Sequence, residues 1–172
     1  MYCGCNPIAY RSQKQISNAL QRLMRQKPYE TISVSELCRE ACVSRQTFYS
    51  LFSSLENVIL FILQENNCKP AEERTFYDTP EKVCSYCSNY IRSNRDILIL
   101  LSEQQAAYLI YSSLYEAFRM GFDADETRAS LRAHYLAGAL TGVVLDNCGK
   151  KFFMEQETLE SILMDFLRGG LF

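Results

Sequence analysis

The sequence predicts an all-α protein, and three observations support that fold class. Glycine and proline, which interrupt helices, are scarce at 7 and 4 of the 172 residues. Apolar residues recur at intervals of three and four along most of the chain, which is the period of a helix with one buried face. We find no segment with the strong alternation of apolar and polar residues that is typical of a half-buried strand.

The first predicted helix begins near Ser12 and ends before Pro28. Ile16, Leu20 and Leu23 recur at the spacing that places them on one helical face. Proline has no amide hydrogen to donate and ends the run. This apolar face needs a partner, which the following segments supply.

Two short helices follow and are joined tightly enough to form a helix-turn-helix. Ser33 to Glu36 has the form of a capping box, in which the serine and glutamate side chains satisfy free amides at a helix start. That helix runs to about Ala41. After two connecting residues, Ser44 can cap the next helix, which runs to about Phe52.

A fourth helix is predicted from near Ser54, with an apolar face that reaches Ile62 and covers the first three helices. The polar, proline-containing segment 69–74 then indicates a boundary between two modules. We therefore predict an N-terminal helix-turn-helix domain over residues 1–66 and a C-terminal helical bundle over residues 67–172. The helices expected in the bundle lie at 83–94, 97–118, 127–148 and 156–168.

The charge of the chain divides in the same way. Residues 1–66 carry 7 basic and 5 acidic side chains, a net charge of +2, whereas the remainder carries 11 basic and 15 acidic side chains, a net charge of -4. A basic head and an acidic body suit a protein whose first module binds a polyanion.

Several classes of protein are disfavoured by what the sequence lacks. Its apolar runs are far shorter than the roughly 18 residues of a membrane span, and its start does not resemble a secretory signal, so we expect a cytoplasmic protein. There is no glycine-rich phosphate loop, HExxH or GxSxG motif, so we expect neither an enzyme nor a bound cofactor.

The eight cysteines indicate reduced thiols, because the cytoplasm does not sustain disulfides. Cys84 and Cys87 have a two-residue gap, but the single histidine, His134, stands at no recognisable ligand spacing, so we predict no metal site. Inert buried thiols are the expectation for this pair, with an oxidation switch as the alternative.

An ordered series of residues in the first module resembles the DNA-binding module of TetR-family transcriptional regulators, over about residues 12–63. The resemblance implies a DNA-binding head followed by a helical body that binds an effector and dimerises. The matched residues are Ile16, Tyr29, Ile32, Val34, Leu37, Ala41, Val43, Ser44, Arg45, Thr47, Phe48, Tyr49 and Phe52.

The second helix of a helix-turn-helix can lie in the major groove with its first residues facing the base edges. Arg45 can bind guanine or phosphate, and Gln46 can present a donor and an acceptor to adenine. Thr47 and Tyr49 are expected on phosphates, and the resemblance implies further phosphate contacts at the starts of the second and fourth helices. The candidate DNA-binding residues are Ser33, Ser44, Arg45, Gln46, Thr47, Tyr49, Ser53 and Ser54.

The sequence departs from the family pattern at two places. Cys42 stands where relatives usually have glycine, in a turn that often requires a positive φ. Ser53 and Ser54 stand where relatives often carry a lysine, so one charge that would neutralise a phosphate is missing.

TetR relatives dimerise through their last two helices, which implies a homodimer on palindromic double-stranded DNA. The final helix carries an apolar stripe, and the helix before it carries two glycines on one face that permit close helix approach. The alternative is that both stripes fill the core of a single protomer. The candidate interface residues are Leu131, Tyr135, Gly138, Gly142, Leu159, Ile162, Leu163 and Phe166.

The middle helices are rich in aromatic residues, which suit a pocket for a small amphipathic or aromatic effector. The alternative is that these rings form ordinary core. We expect a repressor that an effector releases from DNA. Because the body is short and resembles compact family bodies for which a protein partner matters, the alternative is a regulator or adaptor that works through a protein. The candidate pocket residues are Tyr86, Tyr90, Tyr108, Tyr111, Tyr115 and Phe118.

Overall fold

A computed structural model of the chain describes residues 6–65, 79–121, 126–149 and 154–169. Within these ranges the chain forms nine α-helices and one short 3-10 helix, with no strand, which confirms the all-α prediction. The helices are α1 (Pro7–Met24), α2 (Val34–Glu40), α3 (Arg45–Leu51), α4 (Leu55–Glu65), α5 (Pro80–Ser93), α6 (Arg95–Glu103), α7 (Ala107–Gly121), α8 (Glu126–Gly149) and α9 (Gln156–Leu167), and the 3-10 helix is Tyr29–Thr31.

The chain packs as two compact units that divide between Ile62 and Leu63, inside α4. The predicted boundary between residues 66 and 67, and the polar segment 69–74, lie outside the described residues. We refer to the two units as the head, up to Ile62, and the body, from Leu63 onward.

Helix α1 begins five residues before the predicted start at Ser12. The Asn6 side chain accepts a hydrogen bond from the Ile8 amide at 2.9 Å, and Pro7 occupies the first helical turn. Because the buried stripe begins only at Gln13, hydrophobic periodicity could not reveal this exposed first turn. The helix ends at Met24, ahead of Pro28, as predicted.

The head has a continuous apolar core. Ile16 of α1 and Leu37 of α2 are fully buried, and the rings of Phe48 and Phe52 lie 6.1 Å apart at its centre. The Phe61 ring of α4 meets Phe52 edge-on at 5.6 Å, so α4 closes over the core as its stripe predicts. Burial of this apolar surface is the main force that holds the helices together.

Two ion pairs join α2 to the preceding chain. Arg22 Nε lies 2.8 Å from Glu40, and Lys27 Nζ lies 2.5 Å from Glu36. The predicted capping box is present, because the Ser33 hydroxyl accepts from the Glu36 amide at 3.2 Å. The Glu36 carboxylate has a lowered pKa, chiefly through its hydrogen bond to Lys27 and also through the Ser33 amide.

The prediction of a single helix over residues 97–118 was wrong, because the body has two helices there, α6 and α7. Gln105 adopts a φ of 58°, and the Ala106 amide bonds to the Leu101 carbonyl at 2.8 Å. This pattern, with the Gln105 amide on Ser102, is a Schellman motif that ends α6. No glycine or proline marks the break, so the sequence pattern gave no sign of it.

In the body, α7 packs along α8, α6 also contacts α8, and α5 packs against α9. No single helix in the described ranges is long and apolar enough to cross a membrane. The pair α3 and α4, bent by 55° where they meet, passes that test together on length and composition only.

Candidate functional site

The turn between α2 and α3 fixes the geometry of the helix-turn-helix. Cys42 adopts a φ of 53°, the left-handed conformation that glycine adopts more readily than other residues. The Cys42 amide bonds to the Arg39 carbonyl at 3.2 Å, and the Val43 amide bonds to the Cys38 carbonyl at 3.0 Å. These two bonds form a Schellman motif, so α2 ends sharply and α3 can begin two residues later.

Helix α3 begins at Arg45 because Ser44 caps it. The Ser44 hydroxyl accepts from the Thr47 amide at 2.9 Å and shares a second hydrogen bond with the Thr47 hydroxyl at 2.8 Å. Phe48 points into the core, whereas Arg45 and Gln46 are exposed. The start of α3 therefore presents polar side chains to solvent from a rigid base.

Arg45 and Tyr49 stand one turn apart on the exposed side of α3. The Arg45 guanidinium carbon lies 6.0 Å from the centre of the Tyr49 ring, which is 53% exposed. The Phe48 ring meets Tyr49 edge-on at 5.2 Å. A cation over an aromatic ring at an exposed site gains about 0.5–1 kcal/mol, so Tyr49 helps to position the guanidinium.

The serines predicted to contact phosphates stand at the starts of α2 and α4. Ser33 is exposed, and its hydroxyl caps α2. The Ser53 hydroxyl donates to Asn57 Oδ1, and the Ser54 hydroxyl accepts from the Asn57 amide at 3.3 Å. Sequence analysis missed Asn57, although the Ser-x-x-Asn spacing at a helix start is a capping signal that could have identified it.

The six predicted pocket residues do not form one wall. Tyr90 and Phe118 are fully buried, and Tyr86 lies between them, at 6.1 Å and 5.5 Å between ring centres. Tyr111 and Tyr115 instead stack with each other and with His134 of α8, while Tyr108 is half exposed. The set divides because Phe118 packs against Tyr86 of α5, whereas Tyr111 and Tyr115 lie against His134 of α8.

His134 joins the outer group of rings. Its imidazole stacks on the Tyr115 ring, with 4.3 Å between centres, and its Nδ1 is hydrogen-bonded to the Tyr111 hydroxyl. This arrangement fits a packed, hydrogen-bonded histidine on the α7–α8 surface.

Among the described residues of the body, two buried hydroxyls have no hydrogen-bond partner of acceptable geometry. They belong to Tyr90 of α5 and Ser113 of α7, and each residue is 1% exposed. Burial raises the pKa of Tyr90, and the nearby Ser113 side chain partly opposes that rise. Ser113 was missed because its burial depends on helix packing, which no local sequence signal reports.

The predicted dimer residues also divide into two groups. Leu131 and Tyr135 are 65% and 67% exposed, and Gly138 and Gly142 are exposed on the same helix. Leu159 and Leu163 of α9 are already buried inside the protomer, so they do not offer surface to a partner. The physical reason is that α9 packs on α5, where Ser88 donates to Glu160 at 2.7 Å. Of the remaining two predicted residues, Ile162 is partly exposed and Phe166 is 43% exposed.

Cys84 and Cys87 are buried side chains on α5. Burial raises the pKa of both thiols, and the nearby Glu160 and Glu81 carboxylates raise that of Cys84 further. A raised pKa disfavours the reactive thiolate. Among the described residues, no group of three His, Cys, Asp or Glu side chains is arranged to hold a metal ion.

No protein-family model matches the chain. A 66-residue stretch, 38% of this chain, is 32% identical to the HTH-type dhaKLM operon transcriptional activator DhaS of Lactococcus lactis subsp. lactis (strain IL1403). The match spans about a third of that relative's length, 35%.

Two solved structures have a similar fold over nearly the whole chain. The first, the dihydroxyacetone kinase operon activator DhaS, has a TM-score of 0.53 and 18% identity, covering 93% of this chain and 96% of that one. The second is NalD, the secondary repressor of the MexAB-OprM multidrug efflux pump in Pseudomonas aeruginosa. Its TM-score is 0.58 at 16% identity, covering 94% of this chain and 97% of that one. The chain therefore shares the all-helical fold of helix-turn-helix regulators.

Proposed function

We propose that this chain is a TetR-type transcriptional regulator that binds double-stranded DNA through the start of α3 and performs no catalysis. The observation that carries the proposal is the exposed, capped start of α3, where Arg45 and Gln46 stand on a buried base formed by Phe48. A guanidinium and an amide at this position match the donor and acceptor patterns of base edges in the major groove.

The surroundings of α3 fit contacts to the DNA backbone. Hydroxyls at the starts of α2, α3 and α4 belong to Ser33, Ser44 and Ser54, and helix starts attract phosphate. Helix α3 itself supplies one cation, Arg45. Two other basic side chains of the head, Arg22 and Lys27, are engaged by glutamates. The expected footprint is therefore light in charge, and its affinity should be modest at physiological salt.

The protein would act in the cytoplasm as a homodimer on a palindromic site, because paired heads read half-sites about 34–36 Å apart. An effector in the body would favour one separation of the heads over another and so change operator affinity. The unpartnered hydroxyls of Tyr90 and Ser113, beside the Tyr86 and Phe118 rings, support an uncharged amphipathic ligand. We favour a repressor that the effector releases from DNA. Of the similar proteins, DhaS is named as an activator and NalD as a repressor.

Fluorescence anisotropy with a duplex selected from a random pool tests DNA binding. Arg45→Ala and Gln46→Ala should each weaken binding by roughly 10-fold, because a specific base contact contributes about 1–3 kcal/mol. Arg119→Ala, which removes an exposed positive charge from α7, is the matched control and should leave the affinity unchanged. Equal affinities for all three variants at low salt would show that α3 does not read the duplex.

A regulator that works through a protein partner is the second candidate. The serines at the start of α4, in place of a basic residue, favour it because they leave the DNA-facing surface with fewer cations. Wild-type protein that enriches no sequence from the random pool, yet is retained by a partner protein, would support this candidate over the first.

A further inference from the structure

A buried asparagine lies where α5 meets α6. Asn94 is the residue between these two helices, and it is 1% exposed. Its side-chain amide nitrogen donates two hydrogen bonds, to the Tyr90 carbonyl at 3.0 Å and to the Leu63 carbonyl at 3.2 Å. A buried amide needs partners of this kind, because an unsatisfied polar group inside a protein is destabilising. The Asn94 side chain therefore joins the end of α5 to α4.

The bond to Leu63 falls where α4 passes from the head into the body. Leu63 is fully buried and is the first residue of the body, whereas the earlier residues of the same helix belong to the head. Leu63 also stands in the last turn of α4, where the carbonyls of a helix have no partner within the helix itself. Asn94 supplies a hydrogen-bond donor to this turn. The helix that is shared by both units is thus held by a side chain of the body.

The other bond leads to the interior of the body. Tyr90 carries one of the two buried hydroxyls that support an effector site, and Ser113 carries the other. The Tyr90 carbonyl accepts from both amides of Asn94, from the backbone at 3.1 Å and from the side chain at 3.0 Å. These two bonds fix the Asn94 side chain relative to the last turn of α5. A shift of Tyr90 therefore changes the geometry, and with it the strength, of the bond to Leu63.

Within the head, α4 packs on the side chains that support α3. Phe61 of α4 meets Phe52 edge-on at 5.6 Å, and Phe52 lies 6.1 Å from Phe48, the buried ring of α3. Protein interiors are close-packed, so a shift of one ring displaces its neighbours. A change at the body end of α4 can therefore reach the base of α3 through side chains that are already in contact.

We propose that Asn94 is a positioning residue that couples the effector site of the body to α4, through its bonds to the Tyr90 and Leu63 carbonyls. This role rests on the proposed function and names the side chain through which its effector acts. An effector that shifts Tyr90 strengthens or weakens the bond to Leu63, and that difference between the two states changes operator affinity. Without the Asn94 amide the body still folds, but it no longer directs the position of α4.

Native cysteines can report on the two units separately. Cys38 is buried in the head and Cys87 is buried in the body, so each thiol reacts with a short pulse of iodoacetamide only after its own unit opens. Pulsed labelling of the full chain across a urea series, read by peptide mass spectrometry, gives one unfolding midpoint for each unit. In the wild type the two midpoints should coincide, because coupled units unfold together. Asn94→Leu keeps the size of the side chain and removes its donors, and it should separate the midpoints by about 0.5 M urea.

Asn147→Leu is the matched control. Asn147 is another buried asparagine of the body, at 4% exposure, and its side chain donates to the Val143 carbonyl at 3.2 Å and accepts from the Met154 amide at 3.3 Å. These bonds involve only α8 and the chain that follows it. The control variant should therefore lower both midpoints together. If Asn94 only stabilised the body, Asn94→Leu would do the same.

Asn94→Ser provides a second variant that disturbs α5 less. A serine hydroxyl at this position can bond to the carbonyl four residues earlier, that of Tyr90, but it is too short to reach Leu63. Asn94→Ser should therefore also separate the two midpoints. Separate midpoints in the wild type, or midpoints that stay together in both Asn94 variants, would overturn the coupling role. Neither measurement uses DNA, so that result would leave the proposed DNA binding intact, whereas a failed operator selection would refute DNA binding and leave the midpoints as they are.

Discussion

The turn of the helix-turn-helix contains a residue under backbone strain, and relieving it should stabilise the head. Cys42 has a φ of 53°, and its side chain is exposed, so replacing it with glycine removes little packing. A non-glycine residue in the left-handed region costs about 1–2 kcal/mol. Glycine also has more conformational freedom in the unfolded chain than cysteine, which offsets about 0.5–1 kcal/mol of that gain in stability. Cys42→Gly should therefore raise the free energy of unfolding by about 0.5–1 kcal/mol.

Urea unfolding followed by circular dichroism measures this difference, with thermal melting as a cross-check. For a chain of this size the change corresponds to a rise in Tm of about 1–4 °C. Ser35→Gly is the matched control, because Ser35 is exposed in the first turn of α2 and glycine there should destabilise the helix by up to about 0.5 kcal/mol. If Cys42→Gly is neutral or destabilising, or if both variants shift stability in the same direction, the strain assigned to this turn is wrong.

Three further predictions follow from individual side chains. Ser44→Ala removes the cap of α3 and should lower the free energy of unfolding by about 1 kcal/mol in urea titrations, whereas an unchanged midpoint would show that the cap is not needed. Ser113→Ala and Tyr90→Phe each remove a buried hydroxyl without a partner, so each should raise Tm. A fall in Tm for both variants would contradict the assignment of these hydroxyls as unpartnered. Under native conditions at pH 8, iodoacetamide should modify the exposed Cys42 well before the buried Cys87, whose thiol has a raised pKa. Peptide mass spectrometry measures the order of modification, and earlier modification of Cys87 would contradict this prediction.

The head was largely predictable from the sequence because its signals are local. The capping serines Ser33 and Ser44 fixed the starts of α2 and α3, and the apolar spacing identified the buried face of α1. The exposed side chains of Arg45 and Gln46 followed from the position of the cap and the burial of Phe48.

The body was harder to predict because its arrangement depends on contacts between distant helices. The break at Gln105 has a Schellman motif without glycine, so nothing in the local sequence distinguishes it from continuous helix. Leu159 and Leu163 have the spacing of an interface stripe, but the same spacing serves α9 against α5. Periodicity shows that a face is apolar and does not show which partner covers it.

The central claim is that the exposed start of α3 reads base edges, and the most direct test is a change in sequence preference. Selection from a random duplex pool should enrich an inverted repeat with the wild-type protein. Repeating the selection with Arg45→Ala should relax the preference at a guanine in each half-site, and Gln46→Ala should relax it at a different base pair. Recovery of the same motif, at the same strength, with both variants would contradict the account.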